Sequence, residues 1–427
     1  MRFCTMTLGC KVNQYETGAI ESLLCERGHE LKIPGEGCDV CIINTCAVTA
    51  ESVRKTRQAI RRMKKLEPNA KIAVLGCYSE LEPEEIAKIG ADLISGTKDR
   101  HEFALKAEKL TPSSSKTSAH HPSSTANFPL STLNSPLSAN PATRTRALLK
   151  IQDGCDNYCA YCIVPYARGP SRSLPLESIA EHAKKLEKQG YKEIVITGIE
   201  ISSYGKDLNC TDQITPNSQL STTKPSSLRA HEAIQSPNLL TAIQTIRTAT
   251  PNSRLRLGSL DPAALTDGFI KKLKETPNIC NHFHLSLQSG CDETLHRMNR
   301  KYNTSQVQQV ITALRAHFPD CAITADLITG FPGETEEEFN KTLIFIKKAN
   351  FSDMHIFPFS PRPGTKASIM PDQIEKSTRK DRARIAKKTA NEMSDSFKKA
   401  QIGKTVKSFS NRKKTIAGQA IPAITSK

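Results

Sequence analysis

A chain of 427 residues is long enough for two or three domains with sizeable buried cores. Its 37% hydrophobic content includes no run near the roughly 20 apolar residues of a membrane helix, and residues 1–10 read as a strand rather than a secretory leader. A cytoplasmic location without a membrane partner is therefore expected, and the 14 cysteines are expected as free thiols or metal ligands rather than disulfides.

The first hundred residues alternate strand and helix. Residues 2–8, 39–44, 71–75 and 92–95 read as short buried strands, with helices over 16–26, 49–66 and 82–89. This pattern predicts a small parallel α/β domain over residues 1–105. Residues 106–143 turn to Ser, Thr, Pro and Asn without aliphatic periodicity and read as a disordered insertion. Alternation resumes over 144–375, interrupted by a polar insertion at 209–238. Strands are expected at 147–152, 193–197, 254–258, 282–287, 322–328 and 355–359, each with a following helix. Six βα units in succession predict a partial (β/α)6 barrel with its chemistry at the C-terminal strand ends. A basic helix is expected over 376–400.

The formal charge of +17 is concentrated. From Lys376 to Lys427 there are 15 Lys and Arg against three acidic residues, and Arg54, Lys55, Arg57, Arg61, Arg62, Lys64 and Lys65 form a second cluster. Such faces suit a phosphate backbone, although a solvated helix face carries similar charge.

Cys155, Cys159 and Cys162 follow the first barrel strand in a C-x3-C-x2-C loop. Three thiolates so spaced can hold three irons of a [4Fe–4S] cluster and leave the fourth open to a small chelating ligand. Zinc would want a fourth ligand, and none lies nearby in sequence. Gly154 permits the turn, and Tyr158 and Tyr161 can shield the cluster. Cys10, Cys46 and Cys77 each fall one or two residues past an N-terminal strand, at the sheet edge where ligands gather. They can hold a second cluster or be buried structural thiols, while Cys25, Cys280 and Cys321 read as core residues.

These motifs have a family resemblance. The C-x3-C-x2-C loop is the signature of the radical S-adenosylmethionine superfamily. The stretch Thr7-Leu8-Gly9-Cys10-Lys11-Val12-Asn13-Gln14-Tyr15-Glu16-Thr17 resembles the opening motif of the methylthiotransferases. Its Lys-Val-Asn-Gln form is similar to the MtaB-type branch, which acts on N6-threonylcarbamoyladenosine in tRNA. Asn44-Thr45-Cys46, Gly76-Cys77, Leu285-Ser286-Leu287-Gln288-Ser289-Gly290, Thr329-Gly330-Phe331-Pro332-Gly333-Glu334-Thr335 and Phe359-Ser360-Pro361-Arg362-Pro363-Gly364-Thr365 match the same family.

The resemblance implies two [4Fe–4S] clusters, an auxiliary one on Cys10, Cys46 and Cys77 and a radical one on Cys155, Cys159 and Cys162. It implies that S-adenosylmethionine is used twice, once for methylation of a sulfur and once as the source of a 5′-deoxyadenosyl radical. The outcome is a methylthio group at C2 of the adenine at position 37. It further implies that Thr197, Gly198 and Glu200 meet the amino group of S-adenosylmethionine, and that Ser286, Gln288, Asp326 and Thr329 line its pocket. The implied partners are the anticodon loop of tRNA and an electron donor such as flavodoxin or ferredoxin. No catalytic side chain and no sulfur donor is assigned. Family members end in a small barrel called TRAM, and only 24 residues follow Gly403, so residues 401–427 are expected as a truncated TRAM-like remnant. The alternatives are the same chemistry on isopentenyl-adenosine or a ribosomal-protein aspartate, or an RNA-binding protein whose cysteines hold structural metal.

Overall fold

The computed structural model describes residues 1–110, 146–208 and 237–404. Most of the two expected insertions, and the tail beyond Lys404, lie outside the described residues.

The N-terminal strands build one parallel sheet in the order Glu30–Leu31, Arg2–Thr7, Val40–Thr45, Lys71–Gly76, Leu93–Ile94. The strand Val40–Thr45 is buried at every position because helices cover both faces. Ile20, Leu24 and Phe103 pack on Phe3, Val40 and Ile42 on one face. On the other, Val53, Ile60 and Met63 meet Cys41, Ile43 and Val74. The helix Ala50–Leu66 starts at Thr49, whose side chain accepts from Ser52 N while the Ser52 hydroxyl accepts from Thr49 N. Its apolar stripe turns all seven basic residues of 54–65 outward. The strand Glu30–Leu31 and the helix Arg100–Glu108, which runs past the expected boundary at 105, were not legible. Cys280 and Cys321 are buried as expected, but Cys25 is exposed at the end of the helix Lys11–Glu26.

The second region has six parallel strands in sequence order. Ala147–Lys150, Glu193–Thr197 and Arg254–Leu257 form one group. Past Gly258 the third strand continues as Ser259–Leu260, which opens a second group with His282–Gln288, Ala322–Thr329 and Asp353–Pro358. The array is thus two hydrogen-bonded groups of strands, joined at Gly258 and by a parallel bridge between Leu255 and Ile279. Along His282–Gln288, Phe283, Leu285 and Leu287 are fully buried against the helices. The alternate residues His282, His284, Ser286 and Gln288 face inward and are only partly covered.

The helix Lys376–Lys399 belongs to this region's core through Ala386, Ala390 and Met393. Arg382 is buried and bonds Glu334 at 2.9 Å, and Arg379 donates to Phe359 O at 2.6 Å. These two cations serve packing, so only part of the expected basic face is open to solvent. No helix among the described residues is long and apolar enough to cross a membrane.

Candidate active site

The cysteine loop after the first inner strand is forced by close backbone approach. Gly154 has φ 71°, and a Cβ there would sit 1.9 Å from Pro170 O. A short hairpin, Gln152–Asp153 against Arg172–Ser173, pins the base of the loop. Cys155 N donates to Gly169 O at 3.1 Å and Cys162 N to Cys159 O at 2.9 Å. The three thiols lie within electrostatic reach of one another. Burial pushes Cys155 up to about 11 and Cys162 up to about 12. Three soft thiol donors gathered on one tight loop fit a cluster whose irons replace their protons. Arg300 Nη1 lies 3.0 Å from Cys159 Sγ and its Nη2 lies 2.9 Å from Asp261. Spacing had given no sign of this arginine.

The side chains expected to line the cofactor pocket divide. Thr197 ends its strand, and a Cβ at Gly198 would lie 2.9 Å from both Gln152 O and Gln152 Oε1. Gln152 Oε1 accepts from Glu200 N at 2.9 Å, so this turn is stitched to the base of the cysteine loop. Burial, with Asp261 nearby, pushes the Glu200 carboxyl up to about 7. Ser286 and Gln288 share the inner face. Gln288 takes φ 65° where the pairing with the neighbouring strand shifts register. Asp326 also faces inward, but it is held between His284 and His355, 3.1 and 3.2 Å away. Thr329 does not join them. Three residues on from Asp326, it falls on the opposite face, is 1% exposed, and donates to Arg379 O at 3.3 Å. Of the two tyrosines expected to shield the loop, Tyr161 is partly buried. Tyr158 is exposed and packs edge-on against Tyr166, with centroids 5.9 Å apart.

The N-terminal set also converges. Cys10 precedes the helix Lys11–Glu26, Cys46 follows the strand Val40–Thr45, and Cys77 opens the short helix Cys77–Leu81. Each thiol of this set is within electrostatic reach of the other two. A Cβ at Gly9 would lie 2.8 Å from Cys46 Cβ, which shows how closely the first two loops meet. Asn13 Nδ2 donates to Leu8 O at 2.8 Å and Thr45 O at 2.9 Å, and Thr45 Oγ1 donates to Leu75 O at 2.8 Å. Cys46 and Cys77 are buried while Cys10 is exposed, so the set opens to solvent on one side. Burial raises the Cys77 thiol and the Arg168 guanidinium lowers it. Three soft donors beside a fixed positive charge suit a second anionic iron–sulfur group.

Arg168 connects the two sets. It ends the helix Val164–Arg168 just after Cys162, yet it bonds Asn13 Oδ1 at 2.7 Å and Glu16 Oε1 at 2.8 Å in the N-terminal region. It also meets Asp153 at 3.0 Å, and Arg100 and Lys150 reach Glu16 at 2.6 and 3.0 Å. These cations hold the Glu16 carboxyl down to about 2 against the effect of burial.

Residues 149–346 match the Radical SAM superfamily, and residues 2–96 match Uncharacterized protein family UPF0004. The chain is 34% identical to threonylcarbamoyladenosine tRNA methylthiotransferase MtaB of Thermotoga maritima, over 93% of this chain and 84% of that protein. It is 37% identical to the Bacillus subtilis protein of the same name, over 88% and 77%. It is 32% identical to tRNA-2-methylthio-N(6)-dimethylallyladenosine synthase of Natranaerobius thermophilus, over 89% and 79%. Among solved structures, the radical S-adenosylmethionine methyltransferase TsrM of Kitasatospora setae, with cobalamin and a [4Fe-4S] cluster bound, shares the fold. Its TM-score is 0.55 at 14% identity, over 86% of this chain and 74% of that one. With this fold and two converging thiol sets, the chain belongs to the radical S-adenosylmethionine methylthiotransferase family.

Proposed function

We propose that this enzyme adds a methylthio group to C2 of N6-threonylcarbamoyladenosine at position 37 of tRNA, in the cytoplasm. The observation that carries the reading is the pair of three-thiol sets joined by one buried arginine. Cys155, Cys159 and Cys162 would hold the radical cluster, and Cys10, Cys46 and Cys77 the auxiliary one. When bound, the two [4Fe–4S] clusters and S-adenosylmethionine supply the electron, the radical and the methylthio sulfur.

The chain's own residues position and enclose. The Glu200 carboxylate, beside the turn at Thr197 and Gly198, accepts the ammonium of S-adenosylmethionine, with Ser286 and Gln288 on the facing strand. Arg300 sets a positive charge at Cys159 and is itself oriented by Asp261 and by Tyr302 Oη, 2.9 Å away. The buried side chains of Glu16, Asp153 and Arg168 exclude water from the join between the two thiol sets. The outward-facing lysines and arginines of 54–65 and of the C-terminal helix take the phosphates of the anticodon loop. The exposed Tyr158–Tyr166 pair marks the side on which a flavodoxin- or ferredoxin-type donor approaches the radical loop.

The test is incubation of the reconstituted protein with tRNA bearing either N6-threonylcarbamoyladenosine or isopentenyl-adenosine, followed by mass spectrometry of the nucleosides. A mass gain of one methylthio group on the first substrate is expected. Modification of the second alone would replace this reading with the isopentenyl one.

A further inference from the structure

On the inner face of the strand array, several cations gather around few carboxylates among the described residues. Arg256, Arg146 and Arg254 converge on the single carboxylate of Glu193 at 2.6, 2.9 and 3.6 Å, and Glu193 is 2% exposed. Across the same face Asp326 lies between two imidazoles, His284 Nε2 on one oxygen and His355 Nδ1 on the other. His284 Nδ1 is engaged by Thr324 Oγ1 at 2.8 Å. His355 Nε2 has no partner among the described residues, and its side chain is 63% exposed.

Lys11 completes the set from the N-terminal region. It opens the helix after Cys10 and lies within electrostatic reach of Arg256, Arg146, Asp326, His282 and His355. It is exposed and makes no hydrogen bond or ion pair among the described residues. A lysine placed among cations, whose acidic neighbour Asp326 is already held by two imidazoles, is ready to take an anion.

We propose that Lys11 and His355, with Arg256 and Arg146 within reach of Lys11, form a carboxylate subsite that recognises an acidic group on the N6 substituent of the substrate adenine. This rests on the methylthiotransferase reading and names the feature of the substrate that the chain selects. A metal fits the same place less well. The donor atoms of His284, Asp326 and His355 lie within 4.8 Å of one another. Each imidazole, however, is already committed to a separate Asp326 oxygen, and Lys11 and Arg256 repel a divalent cation. An isopentenyl group would strip water from these charges and return no hydrogen bond.

The test uses synthetic anticodon stem–loops whose adenosine carries the threonylcarbamoyl group, its carboxamide, or isopentenyl. Turnover and equilibrium binding are measured with reconstituted wild-type, Lys11→Gln, Lys11→Arg and His355→Gln proteins. The wild type should favour the carboxylate over the carboxamide by about 10- to 100-fold in kcat/KM, mainly through KM. Lys11→Gln should erase that preference by losing only on the carboxylate, and Lys11→Arg should retain most of it. His355→Gln, far in sequence from the cysteines, should narrow the preference without loss of iron, which guards against a Lys11→Gln protein that fails to hold its cluster. Equal handling of carboxylate and carboxamide by the wild type overturns the subsite, as does an equal loss on both substrates in Lys11→Gln and His355→Gln. Activity on the isopentenyl loop alone instead overturns the substrate reading beneath it.

Discussion

Arg168 and Glu16, 152 positions apart, meet in a two-point ion pair, with Nη1 2.8 Å from Oε1 and Nη2 3.1 Å from Oε2. Their side chains are 1% and 3% exposed. Glu16 shares the helix Lys11–Glu26 with Asn13, which ties the loops of Cys10 and Cys46, and Arg168 ends the helix that follows Cys162. The pair therefore fixes one thiol set against the other. Two cofactor sites that would act on one carbon of a bound substrate need that separation held to a fraction of an ångström.

Replacing Arg168 with Met should cost about 3–5 kcal/mol of stability, because Glu16 and Asp153 stay buried with less compensation. Arg168→Lys keeps the charge but loses the two-point geometry, and should fall between Met and the parent. Denaturant unfolding of the cluster-free chain measures both. Equal stability for all three proteins would mean that Arg100 and Lys150 already balance the site.

Iron analysis separates the thiol sets. Changing Cys155, Cys159 and Cys162 together to Ala should leave one [4Fe–4S] cluster of two and abolish 5′-deoxyadenosine formation. Changing Cys10, Cys46 and Cys77 should also leave one cluster but preserve reductive cleavage of S-adenosylmethionine, while methylthiolation is lost. Full iron content in either triple variant refutes the corresponding ligand assignment.

Local pattern carried most of the strands and helices and the C-x3-C-x2-C spacing, because each of these signals lies within a few residues. The thiol sets were legible since strand ends of a parallel sheet share one edge. Glu16, Arg168, Arg300 and His355 were not, since each takes its role from partners that only the fold supplies. Arg300 reaches Cys159 across 141 positions, and no spacing announces it. Thr329 misled for the complementary reason: it stands at a strand end, but on the face that packs against the C-terminal helix.

His182 should make the fold sensitive to mild acid. It is 6% exposed on the helix Leu176–Lys188, its Nδ1 has no hydrogen-bond partner among the described residues, and burial lowers its pKa to about 4. The unfolded chain takes up this proton near the ordinary value of about 6.5, the folded chain only near 4. Between those values the unfolded state binds more protons, so stability falls as pH drops from about 6.5 to about 4. The contribution is on the order of 2 kcal/mol. Unfolding of the parent and of His182→Leu across that window should show a shallower slope in the variant, and parallel slopes would count against it.

The outward-facing basic residues should govern tRNA affinity, and the inward-facing ones should not. Lys380, Arg384, Lys387 and Lys388 are exposed on the C-terminal helix, as are the basic residues of 54–65 on the N-terminal one. Arg379 and Arg382, in contrast, bond Phe359 O and Glu334. Reversing Lys380, Arg384 and Lys387 to Glu should weaken binding and flatten its dependence on salt. Each phosphate that is no longer neutralised takes about 0.9 from the log–log slope on a duplex and about 0.7 on a single strand. Reversing Arg61, Arg62 and Lys65 should act in the same direction. Arg382→Glu should instead lower stability, because it sets a second carboxylate beside buried Glu334, and should leave the salt slope of the folded fraction unchanged. Binding of unmodified tRNA at two salt concentrations, together with thermal unfolding of each variant, distinguishes these outcomes. A salt slope unaltered by both triple reversals would place the phosphate-binding groups elsewhere on the chain.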